Sequence, residues 1–492
     1  MSRVTTDAER NAIQQAFRQK LDEDELLNCM RCGFCLPACP TYIMTKQEAA
    51  SPRGRIALMK GVYDGTIAYD DDIGRQLDLC LGCRACETAC PSGVKYGHLL
   101  ENARSAINEN KRKTLKEKAI RKLTFKDLFP NQKRMRQVTG LVRLYQKSGL
   151  KKLAEATGAI NILPETLRTM QSILPEIPDA KAMRERPVHL APIFVDQPSA
   201  AETATTHANI ATNEEAPINH NAENPVKRVA FFAGCLMDTM FLKTNEATLK
   251  LLQLSGCEIF IPPDQACCGA LHGHSGEAAG ARELAKRNIE AFEKLDCDTI
   301  VTNAGGCGAY LIDYAHLLAD DPEWSERAAR FSSCIKDLSE VLLECGFLEK
   351  YHLSLPNQVV TFQDSCHLRN VMQSATAPRR LLQAIDGITY RELKEADVCC
   401  GSAGIYNLLH EDMATSLIDR KMVHVQDIMP HVIVTANPGC LLQMKFGIKR
   451  RGLESKMEAV HIADLLLKSV SAQMEKRVDS QSFSVMNESR RR

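Results

Sequence analysis

Downstream of residue 228 the chain alternates short apolar runs with longer stretches in which apolar residues recur at helical spacing. Val229–Ala233, Cys257–Pro262 and Thr299–Thr302 predict strands, with helices over about 243–255 and 277–295 between them. A second round follows, with strands at Val359–Phe362, 389–393 and Val432–Thr435 and helices at about 378–385 and 411–424. Strands alternating with helices predict mainly parallel sheets, whose sites gather at the carboxyl ends of the strands. Upstream the pattern is helical. Ile13, Phe17, Leu21 and Leu26 mark apolar faces within 6–27, and Ser51 before Pro52 reads as an N-cap and first helical position. Residues 98–155 read as consecutive helices, and 157–190 as helix interrupted by Pro164, Pro175, Pro178 and Pro187. Residues 196–226 hold few large hydrophobes and much Ala, Thr, Asn, Pro and Glu, the composition of a disordered linker. His461 and Asp464 fall in a predicted terminal helix with no assigned role.

A length of 492 residues exceeds one ordinary core and suggests two to four domains. The boundaries expected are 1–110, a helical connector at 111–195, the linker at 196–226, two α/β units at 227–350 and 351–475, and a tail at 476–492. The 62 basic and 61 acidic residues leave a net charge of +1, which gives nucleic-acid binding no global electrostatic support. The amino terminus lacks the apolar core of a signal peptide, and no stretch approaches a membrane span. Twenty cysteines in such a chain point to metal ligands in a reducing cytoplasm rather than to disulfides. The connector carries a basic face, with Lys111, Arg112, Lys113, Lys116, Lys118, Arg121, Lys122, Lys126, Lys133, Arg134 and Arg136 interleaved with Leu115, Ile120, Leu123, Phe125 and Leu128. An anionic membrane surface or a partner subunit would suit that face, and an ordinary solvated helix is the more common outcome.

Between Cys29 and Pro91 the cysteines impose a second pattern. Cys29, Cys32, Cys35 and Cys39 precede Pro40 with C-x2-C-x2-C-x3-C-P spacing, and Cys80, Cys83, Cys86 and Cys90 repeat it before Pro91. This is the bacterial ferredoxin pattern, in which three closely spaced thiolates wrap one [4Fe–4S] cluster and the fourth reaches the other. One cluster is therefore expected on Cys29, Cys32, Cys35 and Cys90, and the other on Cys80, Cys83, Cys86 and Cys39. Zinc sites space their pairs differently. The forty residues between the runs exceed what a compact β ferredoxin uses, so the module is expected to be helical. Within it Arg53 and Arg55 either offset cluster charge, meet a partner, or are solvated residues of a first helical turn.

The two α/β units share a further cysteine skeleton. Cys235 is followed 32 residues on by the pair Cys267-Cys268, and Cys307 lies 39 residues beyond Cys268. Cys366, the pair Cys399-Cys400 and Cys440 repeat this at 33 and 40 residues. A repeat of this length means two related units, each presenting four thiols at strand ends, an arrangement suited to a cluster or metal. Zinc and a redox-active vicinal disulfide stay open as rivals. Cys257, Cys297, Cys334 and Cys345 have no counterpart between the units and read as small hydrophobes. His272, His274 and His367 lie beside the repeated cysteines and read as ligands, proton carriers or plain polar loop residues.

The doubled cysteine run, Ser51-Pro52-Arg53-Gly54-Arg55 between its halves, and the two Cys-Cys-Gly repeats resemble the iron–sulfur subunit of bacterial glycolate oxidase. Cys399-Cys400-Gly401-Ser402-Ala403-Gly404 and the segment from Ile433 to Cys440 carry much of the likeness, which spans about 28–105 and 228–468. The resemblance implies a multidomain α and α/β protein, a helical ferredoxin module followed by duplicated cysteine-rich (CCG) domains. It also implies a complex in which FAD-bearing subunits oxidise glycolate to glyoxylate and this chain passes electrons to a quinone or other acceptor, in the cytoplasm or peripherally on the inner face of the membrane. This chain shows no flavin or nicotinamide fingerprint and no nucleophile elbow, so no FAD is expected in it and no catalytic residue is assigned. Iron–sulfur subunits for lactate or glycerol-3-phosphate dehydrogenases share the same motifs, and a thiol or disulfide reductase is the reading from another class. Related heterodisulfide reductase subunits carry a fifth cysteine for a noncubane cluster where Tyr310 and Gln443 stand here, which leaves each repeat as a four-thiol or a metal-free site.

Overall fold

A computed structural model describes residues 5–149, 156–158, 168, 171–193 and 226–470. Residues 196–225 of the expected linker and the tail at 476–492 lie outside the described residues.

The amino-terminal module is helical. Helices Asp7–Lys20, Pro52–Asp64, Asp71–Asp78 and Tyr96–Asn110 close on a core of Ile13, Phe17, Met59, Leu77 and Leu99. Local chemistry sets their ends. Thr6 and Glu9 form a capping box at the first, and Ser51 Oγ accepts from Gly54 N at 3.0 Å to start the second, with Pro52 at its first position. Gly65, at φ 80°, ends that helix in the left-handed conformation that glycine adopts without strain.

The connector follows as helices Leu115–Arg121 and Gln132–Lys147, joined by a π-helical turn over Lys122–Leu128. Its basic face is divided between two uses. Arg121 pairs with Glu277 and Arg136 with Asp238, both in the first α/β unit, whereas Leu115, Ile120 and Leu123 stay exposed. Phe129 and Met135 enter the core of that unit.

The first unit is a five-stranded sheet of β1 (His189–Leu190), β2 (Lys227–Phe231), β3 (Cys257–Phe260), β4 (Thr299–Thr302) and β5 (Ile335–Asp337), in the order β1-β3-β2-β4-β5. The second is a four-stranded sheet of β6 (Leu353–Phe362), β7 (Ile385–Tyr390), β8 (Val432–Thr435) and β9 (Glu458–His461), in the order β7-β6-β8-β9. Apart from β1, which pairs antiparallel with β3, all pairings are parallel. The orders β3-β2-β4-β5 and β7-β6-β8-β9 match, so the cysteine duplication is also a duplication of fold. Strands β4 and β8 are buried along their length, as central parallel strands covered on both faces must be. One apolar core, including Phe231, Val301, Leu342, Val360 and Val434, is shared by both sheets.

Three expectations change. The strand expected at 389–393 ends at Tyr390 and starts at Ile385, and β6 begins six residues before Val359. Pro356 hides that early half because it lacks a ladder donor, and the β6–β7 register shifts between Ser354 and Gln358 to accommodate it. His461 closes β9 instead of lying in the terminal helix, which runs over 462–470 and does include Asp464. There the His461 ring accepts from Ala463 N through Nδ1 and donates from Nε2 to Asn303 O at 2.8 Å.

Candidate cluster-binding and thiol sites

The two cysteine runs each turn through a short helix, Cys35–Ala38 and Ala85–Thr88, and face one another. Positive φ at Arg31 and Arg84 (56° and 59°) bends each run back on itself between its thiols. Cys29, Cys32, Cys35 and Cys90 border one cavity, which Cys86 also lines, walled by Ile56 and Val94. Cys32 is exposed there, and Cys29, Cys35 and Cys90 are half-buried. Cys39, Cys80, Cys83 and Cys86 are all buried; Cys83 senses the charges of Cys366, Cys80 and Cys39, and Cys86 those of Cys83, Cys80 and Cys39. The structure thus gathers the eight thiols into one region, with Cys32 near solvent and Cys39, Cys80, Cys83 and Cys86 inside.

Their electrostatics differ. Burial pushes the Cys83 and Cys86 thiols well above the ordinary value. Burial works in the same direction on Cys80, yet the Arg55 and Arg104 guanidinium groups outweigh it and draw that thiol down. Arg53 and Arg55, equivalent in the sequence, part company. Arg53 is bidentate to Glu48, at 2.7 and 3.1 Å, and donates to Arg31 O at 3.0 Å. Arg55 is wholly buried; it donates to Gln76 O and Thr41 Oγ1, and its Nη1 has no partner. Tyr96 Oη, also buried, stands within hydrogen-bonding reach of Cys80. Buried donors left unpaired cost free energy, of order 1–3 kcal/mol each, unless an acceptor stands there. A cluster held by four thiolates is such an acceptor, so the residues present fit the group.

In each α/β unit the four repeated cysteines form a line. Cys235 Sγ lies 3.5 Å from Cys267 Sγ, and the contacts continue through Cys268 to Cys307. Cys366 meets Cys399, then Cys400, then Cys440 in the same way. All sit past the carboxyl ends of β2, β3 and β4, or of β6, β7 and β8. The units touch at equivalent positions, where Gly305 N donates to Ala436 O and Gly306 N to Asn437 Oδ1, both at 3.1 Å. Among the described residues no three His, Cys, Asp or Glu side chains close on one point as a single metal ion requires.

The histidines occupy short helices rather than loops. His272 Nε2 bonds Phe125 O at 2.8 Å, latching the π-helical turn onto the first unit. His274 Nδ1 bonds Glu101 at 2.7 Å and stacks on His367, whose Nδ1 lies 4.0 Å from Cys366 Sγ. The nearby thiol of Cys399, and then His367, draw Cys366 well below the ordinary thiol value. Of the unrepeated cysteines, Cys257 and Cys345 meet at 3.5 Å at the opposite end of the first sheet, and Cys297 and Cys334 pack singly against its core.

The amino-terminal module docks on both units through its inner cysteine run. Arg84 Nη1 bonds Asp313 Oδ2 at 2.6 Å, Asn370 Nδ2 donates to Cys83 O at 2.9 Å, and Tyr406 Oη to Leu79 O at 2.8 Å. Cys83, Cys366, Cys399, Leu81, Tyr406 and Leu417 share one apolar cluster. That proximity, invisible in the spacing, joins the inner ferredoxin thiols to those of the second repeat.

Family comparisons agree with this layout. A 4Fe-4S dicluster domain matches residues 25–94, the linker region of the glycolate oxidase iron–sulfur subunit matches 116–174, and the cysteine-rich domain matches 229–312 and 360–445. A probable glycolate oxidase iron–sulfur subunit of Bacillus subtilis (strain 168) is 56% identical over 468 residues, 95% of this chain and 99% of that protein. The glycolate oxidase iron–sulfur subunit of Escherichia coli (strain K12) is 29% identical over 85% of this chain and 90% of its own length. Lactate utilization protein A of Geobacillus thermodenitrificans is 32% identical over 49% of this chain and 98% of its own length. With its dicluster module, its linker and both cysteine-rich repeats in place, the chain belongs to the glycolate oxidase iron–sulfur subunit family.

Proposed function

We propose that this chain is the electron-carrying subunit of a glycolate-oxidising complex. Cys29, Cys32, Cys35 and Cys90 hold the outer [4Fe–4S] cluster, and Cys39, Cys80, Cys83 and Cys86 the inner one. Cys366, Cys399, Cys400 and Cys440 hold a further iron–sulfur site; the repeat of the same thiol line at Cys235, Cys267, Cys268 and Cys307 makes the first unit its structural counterpart. Such clusters move single electrons, and so divide the two-electron output of a flavin. The placement of the thiols supports this order: Cys32 meets the solvent, Cys83 is inside, and Cys366 and Cys399 pack against Cys83. That last contact is the observation that carries the proposal.

FAD-bearing partner subunits supply the electrons from glycolate, and a quinone at the inner face of the cytoplasmic membrane receives them. Among the described residues no helix is long and apolar enough to cross a membrane, so that contact is peripheral in this reading. The partner carries the substrate site, and the likeness to lactate utilization protein A marks lactate as the competing substrate.

The test is substrate-driven reduction. The chain, purified anaerobically with its flavin subunits, receives glycolate or lactate, and the loss of iron–sulfur absorbance is followed. Faster bleaching by glycolate supports the proposal. Bleaching by lactate alone transfers the subunit to the other substrate, and no bleaching by either contradicts the electron-carrying role.

A further inference from the structure

A guanidinium in a protein interior keeps its charge and is expensive to bury without a counter-charge. Arg55 has no carboxylate partner among the described residues, and it stands beside Cys39 and Cys80 with Nη1 unpaired. Tyr96 presents a second buried donor, its hydroxyl within hydrogen-bonding reach of the Cys80 thiol. Arg104 stands third, donating to the carbonyl oxygen of Cys80 at 2.7 Å. The outer cavity has no buried arginine: of the two that line it, Arg53 is paired with Glu48 and Arg31 is exposed, although Tyr96 borders it as well.

We propose that Arg55, assisted by Tyr96, raises the reduction potential of the cluster on Cys39, Cys80, Cys83 and Cys86 above that of the outer cluster, and thereby sets the direction of electron flow inward. The inference rests on the two-cluster reading above. An added electron increases the negative charge on a thiolate-ligated cluster, and a fixed positive charge in a dry site favours the reduced form. Hydrogen bonds to the ligand sulfurs act with the same sign. One electron leaves the outer site and one enters the inner site, with no bond made and no proton moved. The second electron of the flavin follows by the same route after the first has passed to the second repeat.

The helix start that places Arg55 also separates it from Arg53. Ser51 and Pro52 fix the first turn, and two residues of helical rotation turn Arg55 inward and leave Arg53 on the rim. A guanidinium is not deprotonated in proteins, so Arg55 stays cationic.

The experiment is a dye-mediated redox titration of the full-length chain, monitored by electron paramagnetic resonance, on wild type, Arg55→Gln, Arg55→Lys and Tyr96→Phe, with iron counted in each. Two waves are expected from the ferredoxin module in wild type. In Arg55→Gln the upper wave moves down by at least a tenfold change in the reduced-to-oxidised ratio, about 59 mV for one electron, and the lower wave stays. Arg55→Lys, which keeps the charge, moves it less, and Tyr96→Phe moves it down by a smaller step. If Arg55→Gln loses iron, the Lys and Phe variants carry the same comparison. Wild-type iron content with an unmoved upper wave, or a shift in the lower wave instead, overturns the role of Arg55. Fewer than about eight irons in wild type overturns the two-cluster reading beneath it.

Discussion

Asn370 reaches from the short helix after Cys366 and donates from Nδ2 to the carbonyl oxygen of Cys83 at 2.9 Å. The bond ties a residue of the inner ferredoxin set to the residue four positions past a second-repeat thiol, and Thr88 approaches the same amide at 3.3 Å. Replacing Asn370 with leucine removes the donor and leaves a buried carbonyl unpaired, a loss of about 1–3 kcal/mol at the junction. The chain should keep its iron and melt a few degrees lower. After rapid mixing with a reductant, the ferredoxin signals should form at the wild-type rate while signals from the second repeat form more slowly. Equal rates in both proteins would remove Asn370 from the electron path.

Arg84 and Asp313 join the module to the first repeat. Their side chains are 11% and 19% exposed, and Arg84 also holds Glu87. Removing one partner of such a pair leaves a charge stranded, so Arg84→Met should destabilise by about 3–5 kcal/mol, whereas Arg84→Met with Asp313→Leu should recover much of it. Denaturant unfolding of the two variants decides this. A double variant no better than the single one would mean that Arg84 acts mainly through Glu87.

The same aspartate predicts an acid transition. Burial alone would raise its pKa, but His98 and Arg84 overcome that and hold it at about 2. A carboxylate with a lowered folded pKa stabilises fully above its unfolded value near 4, and the benefit is lost as pH falls from there toward 2. About 2 kcal/mol of stability should disappear across that window. In Asp313→Asn the loss should be smaller, as seen in Tm against pH. An identical acid slope in both proteins would assign the transition elsewhere.

Gly54 sits between the two arginines at the helix start. A Cβ there would overlap the carbonyl oxygen of Glu48. Neither backbone can yield without shifting the turn that aims Arg55. Gly54→Ala should therefore cost about 3 kcal/mol or more and release iron from the inner site first. Thermal unfolding with parallel iron release checks it, and wild-type stability would show that the turn moves freely.

What the sequence makes legible here follows from range. Ligand spacing of two and three residues is a local property, so both ferredoxin sets and both repeated thiol lines can be read before any fold is known. Buried strands such as Val432–Thr435 stand out as apolar runs. β5 and β9, Ile335-Lys-Asp337 and Glu458-Ala-Val-His461, do not, because edge strands this short hold only one or two apolar residues. Arg55 could not be told from Arg53, since burial depends on which side of the helix meets Cys39 and Cys80. The packing of Cys83 on Cys366 was equally hidden. It joins residues nearly three hundred positions apart, and only the docking of Tyr406 and Asn370 creates it.

The central claim is that electrons leave the ferredoxin module through the thiols of the second repeat. Its most direct test is a count of iron and acid-labile sulfide in the full chain, purified anaerobically, beside the Cys399→Ser, Cys400→Ser variant. The account predicts more than about eight irons in the first and about four fewer in the second. About eight in both would confine the clusters to the amino-terminal module and contradict it.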